Sequence, residues 1–267
     1  MTRLMGIVNV TPDSFSDGGR FASTEAAIAH GLKLWGEGAD AIDVGGESTR
    51  PGATPVDAEE EMRRVLPVVR ALAHAGVVVS IDTMKPDVAE AAIGAGATIW
   101  NDVNGFRAPG AVAAAARLRC AVVVMHMQGA PETMQVAPSY ADVVAEVIAF
   151  LKARVATLTA AGVSEITVDP GIGFGKTLSQ NIALMRALPR LREEVGRPVL
   201  IGASRKSFIG KIEARACVAV SKEDARLGGS LAAAVFAVRQ GADILRVHDV
   251  AETAQALRVA RALEEGA

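Results

Sequence analysis

Short apolar runs, rich in β-branched residues, recur along the chain at Leu4–Val8, Ala41–Val44, Val77–Ile81, Thr98–Trp100, Ala121–Met125, Ile166–Val168, Val199–Ile201 and Ile244–Val247. They run apolar rather than alternating, the pattern of strands covered on both faces of a parallel sheet. Between them the period changes. From Met62 the apolar positions fall at Val65, Leu66, Val69 and Leu72, and later at Val144, Val147, Ile148, Leu151, Val155 and Leu158. That i, i+3, i+4, i+7 spacing predicts helices with one buried stripe. Start signals agree: Ser139 with Asp142, Ser221 with Asp224 and Asp249 with Glu252 each place a cap three residues before an acid. Pro86 suits a first helical position. Gly38-Ala39-Asp40, Gly96-Ala97-Thr98 and Gly241-Ala242-Asp243 each precede a strand, an echo expected of a repeated strand–helix unit.

Eight such units in about 250 residues have the rhythm of a TIM (β/α)8 barrel, with an active site at the C-terminal face of its strands. The chain is therefore expected to be an α/β protein with one domain spanning 1–267. A doubly wound open sheet is the alternative, but the unchanging rhythm favours closure.

Composition narrows the class. The 267 residues carry 28 Lys plus Arg against 30 Asp plus Glu, a net charge of −2, which gives no electrostatic reason to expect nucleic acid or a membrane surface as partner. Half the residues are apolar and only 4% aromatic, so Ala, Val, Leu and Ile must fill the core. Two distant cysteines, Cys120 and Cys217, suggest neither a disulfide scaffold nor a metal cluster. No apolar run approaches the roughly 20 residues of a membrane span. The first strand is reached by Leu4, too early for a signal peptide, so a cytoplasmic setting is expected.

A barrel gathers its chemistry at the C-terminal ends of its strands. There the chain offers Asn9, Asp43 with Glu47, Asp82, Asn101 with Asp102, His126, Asp169, Lys206, and Arg246 with His248. Any one of these is as readily a loop cap as a site residue; together they point to one polar rim. The loops at 11–19 and 45–52 are longer than a connection requires and hold Phe15, Asp17, Thr49, Arg50 and Pro51, the make-up of lids over a substrate. Residues 169–177 invite comparison with a phosphate-binding P-loop, but Pro170 stands where the first glycine is required. Those glycines either turn the chain or bring backbone close to a flat ligand, and Lys176 is expected to be a solvated surface residue. His30 and His74 fall within helices as surface or interface residues; His248, beside Arg246, suits an anion site. His–Cys clusters and His-Glu-x-x-His spacing are absent, so zinc is not expected. Met125, Met127 and Met134 read as packing, with Met125 directed to the rim.

Gly6–Gly19, Asp43–Gly52, Asp82-Thr83, Asn101-Asp102, Asp169–Lys176, Ser204–Ser207 and Arg246–Asp249, taken in order, resemble the dihydropteroate synthase family of folate biosynthesis. Trp100, the 103–106 continuation and Met84 depart locally from the family pattern. The resemblance implies a TIM barrel that condenses 7,8-dihydropterin-6-ylmethyl diphosphate with 4-aminobenzoate, releasing pyrophosphate. It implies Mg2+, sulfonamide binding and a homodimer, to which the small residues of 228–238 are suited. By the same resemblance Thr49, Asp82, Asn101, Met125, Asp169, Lys206 and Arg246 hold the pterin. Asn9, Arg246 and His248 anchor the diphosphate, with Asn9 on the metal side. Phe15, Arg50, Pro51, Phe174, Lys206 and Ser207 form the aminobenzoate slot. Asp17, Lys206 and Arg246 are the catalytic residues, Asp17 stabilising a cation at the exocyclic carbon. Competing readings are a pterin-binding methyltransferase, a catalytically silent pterin binder and an unrelated barrel isomerase. The first has no need of lids or a diphosphate site, and the last lacks a suitable general base pair.

Overall fold

The computed structural model describes residues 2–11, 19–49, 53–131, 133–216, 222 and 225–266, with backbone alone for 19–23. Eight parallel strands form one sheet: β1 (Arg3–Asn9), β2 (Ala41–Gly45), β3 (Val79–Asp82), β4 (Ile99–Asp102), β5 (Ala121–Met125), β6 (Ile166–Asp169), β7 (Leu200–Ile201) and β8 (Ile244–Val247). Their order is β6-β5-β4-β3-β2-β1-β8-β7. A single parallel bridge, Val168 to Val199, joins the two ends, with the Val168 amide donating to the Pro198 carbonyl at 2.9 Å. Closure follows, and the barrel expected from the strand count is the barrel observed.

The helices ring the outside: α1 (Gly19–Gly36), α2 (Ala58–His74), α3 (Pro86–Gly94), α4 (Ala111–Leu118), α5 (Val143–Ala160), α6 (Leu178–Arg186), α7 (Leu188–Val195), α8 (Ser207–Arg215), α9 (Leu227–Arg239) and α10 (Val250–Glu265). The units after β6 and β7 thus carry two helices each. In α2 the Asp57 side chain accepts the Glu60 amide, and Val65, Val68, Val69 and Leu72 are buried against the sheet. Gly38, Gly96 and Gly241 take left-handed conformations at the three echoed helix exits. None of the described helices is long and apolar enough to cross a membrane.

Two of the expected start signals differ from the sequence pattern. Asp142, not Ser139, caps α5: its carboxylate accepts from the amides of Val144 and Ala145, while Ser139 pairs through its backbone with the Gln128 side chain. Asp249 stands at the head of α10 but makes no side-chain cap bond. Ser221 with Asp224 lies outside the described residues.

Alternation along each strand sorts the barrel interior. Met5, Ala41, Val123, Leu200 and Ile244, with Ile99 packed on them, fill its lower half as a separate apolar cluster. Two residues further along β2, β4 and β8, the same face presents Asp43, Asn101 and Arg246. An apolar plug below and polar groups above is the arrangement that aims charge at the C-terminal mouth.

Candidate active site

Arg246 is the hub of this upper layer. Its Nε donates to Asp43 Oδ2 at 2.5 Å and its NH2 group to Asp82 Oδ2 at 2.6 Å, and Asn101 Nδ2 reaches the same Asp43 oxygen at 3.0 Å. The Asp43 side chain is fully buried, and its Oδ1 has no hydrogen-bond partner. A buried charge is costly unless paired. Burial disfavours the Arg246 cation, but Asp43 and Asp82 outweigh it and hold the guanidinium above its ordinary value. Burial likewise pushes the Asp82 carboxyl up, with Arg246 opposing and Asp43 adding to the rise.

The turn after β6 forms a second cluster. Asp169 Oδ1 accepts the Gly171 amide at 2.7 Å, which fixes the carboxylate's orientation; burial raises its pKa and Lys206 opposes that rise. Lys176 corrects the surface expectation. It is 1% exposed, and its Nζ donates to the carbonyls of Gly171 and Phe174, each at 2.9 Å, and of His126 at 3.3 Å, while meeting His126 Nδ1 at 3.0 Å. Burial brings the Lys176 ammonium down to about 7, with Asp169 opposing the fall. Burial, then Lys176, lowers the His126 pKa to about 3, so the ring stays neutral. His126 is thus a buried brace, with its ring edge-on to Phe150.

Lys206 approaches from the loop after β7. Its Nζ donates to the Ile172 carbonyl at 2.5 Å and lies 4.6 Å from the centre of the Phe174 ring. Burial lowers its pKa to about 8 against the pull of Asp169. Phe174 also packs on Val103, Met125, Met127 and Met134, an apolar wall that includes Met84. From the same loop, Ser204 Oγ meets Nδ1 of His248, in the loop after β8, at 3.0 Å.

Asp82, Asn101, Asp169, Lys206 and Arg246 therefore share one mouth, tied together by the contacts of Arg246 and by the mutual fields of Asp82, Asp169, Lys206 and Arg246. Met125 is buried beside Asp169 on the neighbouring strand. Asn9 ends β1 at the same rim, Thr49 lies partly buried beyond β2, and Ser207 opens α8 exposed. Phe15, Asp17, Arg50 and Pro51 lie outside the described residues. Asp102 proves to be a turn cap, its two oxygens accepting the amides of Asn104 and Phe106. Glu47 bridges the Val56 amide and the Lys85 ammonium at the base of the loop after β2. The sequence places Asp43 on the polar rim without a contact, and its interior position follows from alternation with Ala41; Lys176 and Ser204, whose contacts cross between loops, have no site role from sequence.

Residues 5–248 match the family described as pterin binding enzyme. The chain is 50% identical over 266 residues to the dihydropteroate synthase of Neisseria meningitidis serogroup C, covering 98% of this chain and 92% of that one. Among solved structures, the dihydropteroate synthase of Xanthomonas albilineans with 4-aminobenzoic acid superposes with a TM-score of 0.91 at 51% identity, covering 98% of this chain and 93% of that one. The same enzyme in complex with 7,8-dihydropteroate gives 0.87 at 48% identity, covering 98% and 94%. With an eight-stranded barrel, a mouth lined by Asp82, Asn101, Asp169, Lys206 and Arg246, and this likeness across nearly its whole length, the chain belongs to the pterin-binding enzymes, in the dihydropteroate synthase family.

Proposed function

We propose that the chain condenses 7,8-dihydropterin-6-ylmethyl diphosphate with 4-aminobenzoate to give 7,8-dihydropteroate and pyrophosphate. The observation that carries this reading is the convergence of buried carboxylates, an amide and two cations on one mouth, beside an aromatic ring. A pterin edge presents an amino group next to a ring N–H, and the Asp169 carboxylate, already oriented by the Gly171 amide, accepts both. Asp82 and Asn101 meet the remaining ring donors and acceptors, with Met125 and Thr49 beside them. Lys206 donates to the ring carbonyl, and the Arg246 guanidinium lies against the ring face. Leaving any of these groups unpaired costs roughly 1–3 kcal/mol, so other bicyclic rings are rejected.

The diphosphate is held by Asn9, Arg246 and His248. Ser204 orients the His248 ring. The described residues contain no group of three or more His, Cys, Asp or Glu able to hold a metal. Asn9 offers one amide oxygen, which suits Mg2+ carried in on diphosphate oxygens and water rather than a resident ion. Such an ion would supply charge neutralisation for the departing diphosphate. The arylamine is its own nucleophile and needs no covalent residue. By resemblance Asp17 stabilises the cation at the exocyclic carbon before attack, and Phe15, Arg50, Pro51, Phe174, Lys206 and Ser207 form the aminobenzoate slot. The protein acts in the cytoplasm as a homodimer, for which the exposed Phe236 of α9 and Val259 and Leu263 of α10 offer apolar surface; sedimentation measures that state.

The deciding experiment follows pyrophosphate release with Mg2+, with and without 4-aminobenzoate. Release that requires both organic substrates supports a synthase. Pterin binding without release points to a silent binder, and methyl transfer to the rival enzyme class.

A further inference from the structure

The segment Ser204–Lys206 links two groups assigned to opposite ends of one substrate, and the residue between them has an uncommon backbone. Arg205 has φ 57°, in the left-handed region that residues with side chains seldom enter. Such a conformation persists where the surroundings over-determine it. Here its amide donates to Ser230 Oγ of α9 at 2.9 Å, and its carbonyl accepts Arg226 NH1 at 3.0 Å. Its guanidinium grips Asp249 in a two-point pair, Nε to Oδ2 at 3.1 Å and NH2 to Oδ1 at 2.5 Å. Helix α9 packs closely on α8 beside this turn: a Cβ on Gly229 would lie 2.4 Å from Ile209 Cγ2 of α8.

Asp249 is equally committed. It occupies the N-cap of α10, where an aspartate ordinarily accepts helix amides, yet it makes no cap bond and faces Arg205 instead. His248 precedes it directly and contacts Ser204, the residue before Arg205. Two loops are thus cross-tied by adjacent contacts, one loop ending in Lys206 and the other in His248.

We propose that Arg205 and Asp249 form a positioning pair that sets the loop after β7 against the loop after β8, so that Lys206 and His248 address the ring and the diphosphate of one substrate at once. This rests on the synthase reading for the identity of the substrate, although the geometry requires only a flat ring bearing a polyanion. Neither residue of the pair is placed against substrate.

The test uses Arg205→Gly, Asp249→Asn, the double variant and Arg205→Lys. Glycine adopts this φ freely, so Arg205→Gly keeps the turn and removes the pair, whereas Asp249→Asn removes the charge and the two-point grip, leaving one acceptor oxygen, without touching the turn. Each single change is expected to lower kcat/KM for the pterin diphosphate on the order of tenfold to a hundredfold. The double variant should be no worse than the poorer single one, and Arg205→Lys should recover part of the loss. Calorimetric affinity for pyrophosphate with Mg2+ should fall in parallel. That second readout needs no turnover, so an inactive native protein would remove the synthase reading while leaving the pair testable. Singles within about twofold of the native protein on both readouts, or a double variant showing the product of the single losses, would overturn the proposal. If Arg205→Gly fails to fold, Asp249→Asn decides alone by the same two measurements.

Discussion

Lys176 ends a run of glycines that reads position by position as a solvated turn, and the fold instead encloses it among the carbonyls of His126, Gly171 and Phe174. Lysine is seldom fully buried, and its residue type carried no hint of burial. What buries it is a set of backbone carbonyls turned inward by loops from two strands, a feature that no sequence spacing encodes. Lys176→Met strands those carbonyls and should cost about 2 kcal/mol, seen as a fall in Tm of roughly 4–8 °C; an unchanged Tm would show the brace to be dispensable. Lys206 invites a pH experiment. Burial brings its ammonium down to about 8, so as pH rises through that value the proton is lost and the donor to the pterin carbonyl weakens. Calorimetry with a pterin analogue should show affinity falling above about pH 8, with that limb absent in Lys206→Arg, whose charge persists throughout. Asp43 was visible as a strand-end acid, but its pairing with Arg246 joins residues 203 positions apart and emerges only on closure.

The strands were legible as elements because burial on both faces leaves a dense local signature; β5 and β8 have the expected limits, and the others differ by a residue or two at either end. Val77 reads in sequence as part of β3, but it belongs to the turn after α2, its amide bonded to the Leu72 carbonyl. Helix caps were less legible, since Ser139 and Asp142 both satisfy the pattern and tertiary contacts chose between them. The turn after β6 is where element and site meet. Gly171, at φ 70°, would place a Cβ 1.9 Å from the His126 carbonyl oxygen, whereas Gly162, at φ 95°, faces open space. Both lose the freedom glycine provides, but only the first must also move backbone. Gly162→Ala should cost about 1 kcal/mol and leave ligand binding intact. Gly171→Ala should be markedly less stable and lose pterin binding, because the Gly171 amide orients Asp169. Equal melting temperatures for the two variants would contradict the packing described.

For the molecule as a whole, chain order alone nearly dictates the outcome: consecutive strands pair, β1 adds β8, and the ring of polar strand ends appears without any residue being placed individually. The site's recognition of a pterin depends on this circularity, since Asp82, Asp169 and Arg246 lie on β3, β6 and β8. The circle is nevertheless uneven. Between β6 and β7 one residue pair does the joining, and β7 itself is two residues long, while β1 and β2 match over five. Like a hoop fastened by one rivet, the wall should breathe first at that seam. Deuterium uptake at Val168 and at 199–201 should outpace that of 5–9, and a bound pterin, pressing on Asp169 and Lys206 from either side of the gap, should slow it most there.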